Sequence, residues 1–354
     1  MKIIRLSTFL DYGGIETKMV NLSNYETEKE EWVFCAIGKG GSASKTIAEN
    51  GKRVVCFNLN HKIPSIKTIY QLYLFFKKEK PEVVHTSGAE ANFHGVIAAK
   101  LASVPKIIAE EIGITSQSKF AKKIFYWIYK YAHYVVGESK LVTNSLQLNY
   151  RIPSKKLKTI HNFISFPEIT PNRFENVNSL SIVSISRLAA VKNILGVLEA
   201  VSLLKKEGFP VQYSIAGDGA QLDILKLKTK ELGIEDCVTF VGYIKNPYPL
   251  LTKSKIFVLN SFTEGFSNSL LEAMYSGTPA ISTAVGGAPE IITEGKNGWL
   301  VPVADTMALY HKMKQIHSLN YLTLEEIGKE SRKTVISRFS LQSHVKELGK
   351  LYYS

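Results

Sequence analysis

From the third residue onward, short runs rich in valine and isoleucine alternate with longer stretches whose apolar residues recur at helical spacing. A strand that is followed by a helix before the next strand pairs most readily in parallel, because the helix carries the chain back to the starting edge of the sheet. The alternation therefore predicts βαβ units and a doubly wound α/β sheet. In the first half the strand-like runs are 3–8, 32–37, 53–57, 83–86, 106–110 and 134–136, with helical patterns at 17–22, 65–78, 92–101 and 119–131 between them.

The pattern pauses after Ile160-His161-Asn162-Phe163-Ile164, where a stretch bearing proline and asparagine, 166–179, reads as a linker. A second series follows, with strand-like runs at 181–186, 213–216, 238–241, 256–259 and 280–283 and helical patterns at 194–207, 221–232, 269–276 and 306–317. A length of 354 residues with 45% hydrophobic content supports two such cores. The expectation is two doubly wound, Rossmann-like domains facing across a cleft. They would span 1–165 and 181–335, with a linker at 166–180 and a C-terminal helix within 336–354 packing back on the first domain.

Several classes are disfavoured. The three cysteines, Cys35, Cys56 and Cys237, are far apart and set in apolar runs, which fits buried thiols better than a metal site or a disulfide framework. The first residues lack the long apolar region of a signal peptide, and lysines interrupt every apolar stretch before it reaches membrane-spanning length. The expectation is a cytoplasmic protein, peripheral to any membrane it touches. The net charge of +13 is uneven: residues 1–165 carry 24 Lys and Arg against 13 Asp and Glu, whereas 166–354 carry 20 against 18. That asymmetry suggests a polyanion or an anionic surface against the first half.

Chemistry concentrates at the ends of the second set of strands. Glu264-Gly265-Phe266-Ser267-Asn268-Ser269-Leu270-Leu271-Glu272 runs from a strand through loop formers into a helix, leaving the backbone amides of 265–269 at a helix N-terminus where an anion such as a diphosphate is stabilised. Asn268 or Ser269 is the expected N-cap. Glu264 and Glu272 flank this anion site and can touch different parts of one ligand. Ser186-Arg187-Leu188, with Lys192 and Asn193, follows the domain's first strand and supplies two cations for the same anion. Gly217-Asp218-Gly219, Gly242-Tyr243-Ile244 and Gly286-Gly287 end three further strands, so the features converge on one crevice.

Taken in order, the segments SRL with Lys192-Asn193, GDG, SFTEGFSNSLLEA, GTPAI, VGGAPEII and NGWLV resemble the donor domain of the family-4 retaining glycosyltransferases of the GT-B fold, densely over residues 181 to 302. The resemblance implies that Glu264 contacts the sugar, that Glu272 holds the ribose hydroxyls, and that Arg187 and Lys192 bind the diphosphate. It implies that the loop of Gly265, Phe266, Ser267, Asn268 and Ser269 supplies backbone donors and that the turn at Ile244 receives the base. In the first half, Asp11-Tyr12-Gly13-Gly14-Ile15-Glu16 resembles the family's glycine-glycine loop, so Gly13 and Gly14 join the donor-binding candidates. His161-Asn162-Phe163 stands where the family has an asparagine-glycine segment, with phenylalanine replacing the glycine. Glu111 stands in the place of a histidine that many relatives carry near the anomeric centre, and is a candidate catalytic carboxylate beside Glu264, Arg187 and Lys192. His85 and His94 are weaker candidates for the acceptor side.

The implied activity is transfer of a sugar from a nucleotide-diphosphate sugar, UDP-linked by expectation, to a glycan or lipid-linked acceptor with retention, and with no cofactor or metal. Two rivals stand beside it. A nucleotide-sugar epimerase could use the same cleft, and the isoelectric point near 9.4 suggests a nucleic-acid-binding protein, although no recognised binding motif accompanies the charge. The run 119–131 combines four lysines with Phe120, Trp127 and Tyr131. At helical spacing Phe120, Ile124, Trp127, Ile128 and Tyr131 share one side, either packed on the sheet or presented to a lipid interface.

Overall fold

The computed structural model describes residues 1–113, 118–171 and 179–354, and the rest of the expected linker, 172–178, lies outside the described residues. The chain forms two compact units, Met1–Ser165 with Leu341–Ser354, and Phe166–Ser340. Each is built on a parallel sheet.

In the first unit the described strands are β1 (Lys2–Ser7), β2 (Glu31–Ala36), β3 (Arg53–Cys56), β4 (Val83–Ser87), β5 (Lys106–Glu111), β6 (Tyr134–Gly137) and β7 (Leu157–Thr159). Their spatial order is β3-β2-β1-β4-β5-β6-β7. In the second they are β8 (Leu180–Ile185), β9 (Val211–Ala216), β10 (Val238–Gly242), β11 (Ile256–Leu259), β12 (Ala280–Thr283) and β13 (Trp299–Val301), in the order β10-β9-β8-β11-β12-β13. Both orders reverse direction beside the first strand, between β1 and β4 and between β8 and β11. Such a reversal splays the flanking loops apart and opens a crevice at the carboxyl edge. The central strands β4, β11 and β12 are buried along their whole length, which is why they read as continuous apolar runs.

The reversal also sorts the helices. Helices after β1 and β2, Gly14–Ser23 and Ser42–Glu49, lie on one face with Met19, Leu22 and Ile47 in its core. Later crossovers cover the opposite face, where Ile66–Glu79, Ala89–Leu101, Lys119–Tyr131 and Lys140–Tyr150 pack in sequence order. Two helices do not cover seven strands. The helix Leu341–Tyr352 completes the first face, burying Val345, Leu348 and Leu351 with Val83, Ile108 and Val136. The preceding helix, Tyr321–Arg338, belongs to the second unit, so the return begins at Leu341 rather than at 336.

The stripe expected on the helix Lys119–Tyr131 divides. Phe125, Ile128 and Tyr129 are the buried residues, while Phe120 is 74% exposed and Trp127 and Tyr131 are also exposed. Among the described residues no helix is long and apolar enough to cross a membrane. The three cysteines are free thiols.

Candidate functional site

The loops that flank the β8/β11 reversal are tied to each other. Phe262 donates its backbone N–H to the Val191 carbonyl at 2.8 Å, and the Asn260 amide donates to the Asn193 carbonyl at 3.2 Å. This brings the Lys192 ammonium onto Oε1 of Glu264, which also accepts from Ser261 Oγ at 2.7 Å. Arg187 is exposed and, among the described residues, has no ion-pair partner. Lys192 and Glu264 are thus together at the β8/β11 reversal, and Arg187 lies on the Lys192 loop.

Glycines make the close approaches possible. A Cβ on Gly217, whose φ is +132°, would fall 1.8 Å from the Ser186 carbonyl oxygen, so the turn after β9 lies directly under the arginine loop. Gly286, at φ +56°, lets the loop after β12 press on the 264–265 backbone, where Gly287 donates to the Gly265 carbonyl at 2.9 Å. Ile244 follows β10 and is half-buried.

The helix Asn268–Tyr275 is capped by Ser267, whose Oγ accepts from the Leu270 N–H, so the cap lies one residue before the expected Asn268 or Ser269. The shift follows from conformation: Ser267 has the extended backbone that a cap requires, whereas Asn268 is already helical. Phe266 is buried, its ring against Phe339, leaving only its backbone for a ligand. Glu272 is half-buried, has no cation beside it among the described residues, and burial pushes its carboxyl up to about 7.

In the first unit, Gly13 precedes the helix Gly14–Ser23 with φ +152°, and a Cβ there would meet the Glu16 carboxylate at 2.3 Å. Open space surrounds Gly14. Glu111, at the carboxyl end of β5, is 2% exposed, and its Oε1 accepts from Tyr129 OH at 2.6 Å and from the Asn92 amide at 2.7 Å. Burial raises its carboxyl to about 7 in spite of these two donors, with Glu90 and Glu110 adding repulsion.

The two histidines are corrected. His85 is fully buried, with Nδ1 facing Arg5 and the Tyr352 hydroxyl, and burial followed by the Arg5 charge holds it neutral. It braces the C-terminal helix through Tyr352. His94 is buried and donates from Nδ1 to the Glu90 carbonyl at 2.8 Å, a bond within its own helix. Phe163 is buried with its ring against His344, so the segment at 161–163 anchors the returning helix.

Sequence reasoning missed a buried charge cluster. Glu110 accepts from Arg5 Nη2 at 2.9 Å, Ser87 Oγ at 2.6 Å and the Lys18 ammonium, which also donates to Glu138 at 2.8 Å. Burial alone would raise the Glu110 carboxyl, but Lys18 and Arg5 outweigh it and hold it well below the carboxylate range. The signal was an arginine inside an apolar strand and a lysine on the apolar side of the first helical pattern. Among the described residues, no group of three or more His, Cys, Asp or Glu side chains could hold a metal ion.

The chain is similar to known proteins along its length. Residues 12–166 match the Glycosyltransferase Family 4 model and residues 165–334 match glycosyl transferases group 1. The GalNAc-alpha-(1->4)-GalNAc-alpha-(1->3)-diNAcBac-PP-undecaprenol alpha-1,4-N-acetyl-D-galactosaminyltransferase of Campylobacter jejuni is 29% identical over 98% of this chain and 96% of its own length. The N-acetyl-alpha-D-glucosaminyl L-malate synthase of Bacillus anthracis is 32% identical over 57% of this chain and 54% of its own, so the chain spans about half the length of that curated relative. The solved structure of HepE from Anabaena, in complex with UDP and glucose, matches with a TM-score of 0.85 over 100% of both chains at 17% identity, which shows the GT-B fold. With the two glycosyltransferase models together spanning residues 12–334, one on each unit, the chain belongs to the family-4 glycosyltransferases.

Proposed function

We propose that the protein transfers a hexosyl or N-acetylhexosaminyl group from a UDP-sugar to a hydroxyl of a glycan or lipid-linked acceptor, with retention at the anomeric carbon and without a metal ion. The observation that carries this reading is the Lys192–Glu264 pair beside the Ser267-capped helix, with Glu272 unpaired one turn further on. An incoming diphosphate draws Lys192 partly away from Glu264 and is met by Arg187 and the positive N-terminal end of the helix Asn268–Tyr275, which stabilise the leaving group as its bond to the sugar breaks. Glu264, released from part of its pairing, accepts from a sugar hydroxyl. Glu272 accepts from the ribose hydroxyls. The relative from Campylobacter jejuni, whose name specifies a diphospho-undecaprenol-linked acceptor, supports the acceptor class, and the UDP complex of HepE supports the donor.

The test is a thermal-shift panel of UDP and UDP-sugars against the wild type and Glu272→Ala, with the anomeric configuration of any product read by NMR and the assay repeated in EDTA. Stabilisation by UDP that the variant loses, a retained anomer and indifference to EDTA support the reading. Unchanged binding by the variant removes the ribose role, an inverted anomer removes retention, and loss of activity in EDTA removes metal independence.

The first unit offers a surface for a membrane-borne acceptor. The helices Ile66–Glu79 and Lys119–Tyr131 lie on the same sheet face and expose Ile66, Tyr70 and Leu74 on one and Phe120, Trp127 and Tyr131 on the other. Between residues 112 and 165 Glu138 is the sole acidic residue, and it is buried on Lys18. Lysines around exposed aromatics suit an anionic lipid surface, which supports peripheral attachment at the cytoplasmic side of a membrane. Flotation with anionic liposomes should carry the protein upward, and Phe120→Ser with Trp127→Ser should leave it below. A wild-type protein that stays in the soluble fraction at low salt ends this part of the reading.

A further inference from the structure

The carboxyl of Glu111 is held asymmetrically. Tyr129, from the helix Lys119–Tyr131, and Asn92, from the helix Ala89–Leu101, both donate to Oε1, and no described group donates to Oε2. Asn92 is itself fixed, because its carbonyl oxygen accepts from Thr86 Oγ1 at 2.6 Å and its amide also donates to the Glu110 carbonyl at 3.0 Å. Tyr129 is 1% exposed and packs edge-on against Tyr150 with ring centroids 5.0 Å apart. Neither donor can turn away without breaking a packed contact.

The neighbouring charges give Glu111 no cation. Glu110 on the same strand is occupied by Lys18 and Arg5, Glu138 after β6 is turned to Lys18, and Glu90 at the head of the helix Ala89–Leu101 adds a second negative charge. Two neutral donors therefore stand where Glu110 has cations, fixing the carboxyl without offsetting its burial, on the carboxyl edge of a sheet whose strand order reverses between β1 and β4.

We propose that Tyr129 and Asn92 are positioning residues which lock Oε1 of Glu111 so that Oε2 remains as the single acceptor for a sugar hydroxyl during transfer. The inference rests on the transferase reading. The hydroxyl must be received by the ionised carboxylate, so transfer should rise with pH along a limb set by Glu111. Each donor favours the ionised form, so removing one moves that limb upward. Tyr129 reaches Glu111 from the helix that carries the exposed aromatics, and the same bond therefore joins the proposed lipid-facing helix to the carboxylate.

The experiment measures kcat/KM against pH for the wild type, Tyr129→Phe, Asn92→Ala and Glu111→Gln, together with carboxyl carbon-13 NMR titration of Glu111, assigned by its loss in Glu111→Gln. The expected result is an ascending limb near neutrality in the wild type, displaced by roughly half to one pH unit upward in Tyr129→Phe, with the NMR titration moving equally. Glu111→Gln should lose the limb and at least tenfold in kcat/KM. A rise in the acceptor KM alone identifies the acceptor hydroxyl as the ligand, and a rise in the donor-sugar KM with UDP binding unchanged identifies the transferred sugar. A Tyr129→Phe enzyme that is uniformly slower with an unmoved limb and unmoved titration overturns the proposal, as does a limb that survives in Glu111→Gln. Should Asn92→Ala fail to fold, Tyr129→Phe, which keeps the ring, decides alone. Absence of transfer from every UDP-sugar, with the NMR displacement present, would overturn the hydroxyl-acceptor role through the transferase reading while showing the lock itself intact.

Discussion

In the first unit the charges of Arg5, Lys18, Glu110 and Glu138 are enclosed and paired among themselves, whereas in the second Arg187, Lys192, Glu264 and Glu272 remain at least partly open to solvent. Both groups stand near the carboxyl edge of a parallel sheet. What separates them is the partner each requires. The first group supplies two cations and two anions and closes on itself. The second leaves the Arg187 guanidinium without an ion-pair partner among the described residues, in the unit that also carries the Ser267-capped helix start, and a bound dianion would supply that partner. Buried charge that is paired supports a fold, and partly exposed charge left incomplete marks a site.

Substitutions can break that contrast. Glu110→Gln leaves Lys18 and Arg5 underpaired in the core and should cost about 3–5 kcal/mol in denaturant unfolding. A loss below 1 kcal/mol would show the cluster to be dispensable. Glu264→Gln, by contrast, should leave stability within about 0.5 kcal/mol, since its ion pair is partly exposed, and reduce transfer on the order of a hundredfold. Between these lies Tyr352→Phe, which removes the hydroxyl meeting Arg5 and His85 and should cost about 1–2 kcal/mol without altering UDP binding.

A pH series sharpens the comparison from the other side. The Glu272 carboxyl is raised to about 7 in the folded protein, so the folded state holds its proton more tightly than the unfolded chain. The stabilisation this provides is complete below the ordinary carboxylate range and is lost as pH rises through about 7. Glu272→Gln should therefore match the wild type at pH 4 and melt about 2–4 °C higher at pH 8, read by calorimetry without ligand. An equal difference at both pH values would place the effect elsewhere. The Glu110 carboxyl, held low, has the opposite sign: its contribution is present above the ordinary range and is lost only as pH falls through its depressed value. Ser267→Ala, which removes the helix cap, should cost about 1 kcal/mol in denaturant unfolding.

Much of this was legible in the sequence, and for identifiable reasons. The strands at 256–259 and 280–283 coincide with their structural bounds because buried parallel strands leave an uninterrupted apolar signature. The meeting of Lys192 and Glu264 followed from their places on the two loops that end the strands at the reversal. Less legible were contacts made across long separations. Nothing local announces that Tyr352 will reach Arg5, or that His85, which resembles a functional histidine in isolation, will be enclosed by both. The helix Ser42–Glu49 escaped notice because two of its eight residues are buried, too few for a clear apolar stripe. Which side of the helix Lys119–Tyr131 packs stayed open in the sequence because Phe125 and Tyr129 compete with Phe120 and Trp127 for the sheet, a choice that periodicity alone does not make.

The helix Leu341–Tyr352 gives the order of synthesis a structural meaning. A ribosome releases the seven strands of the first sheet well before it makes the segment that covers Val83, Ile108 and Val136. Throughout translation of the second unit, the first therefore carries an uncovered apolar face and lacks Tyr352 beside Arg5. Its maturation is deferred until the second unit has emerged, so a nascent chain arrested in that unit presents a half-finished first unit for chaperones to shield.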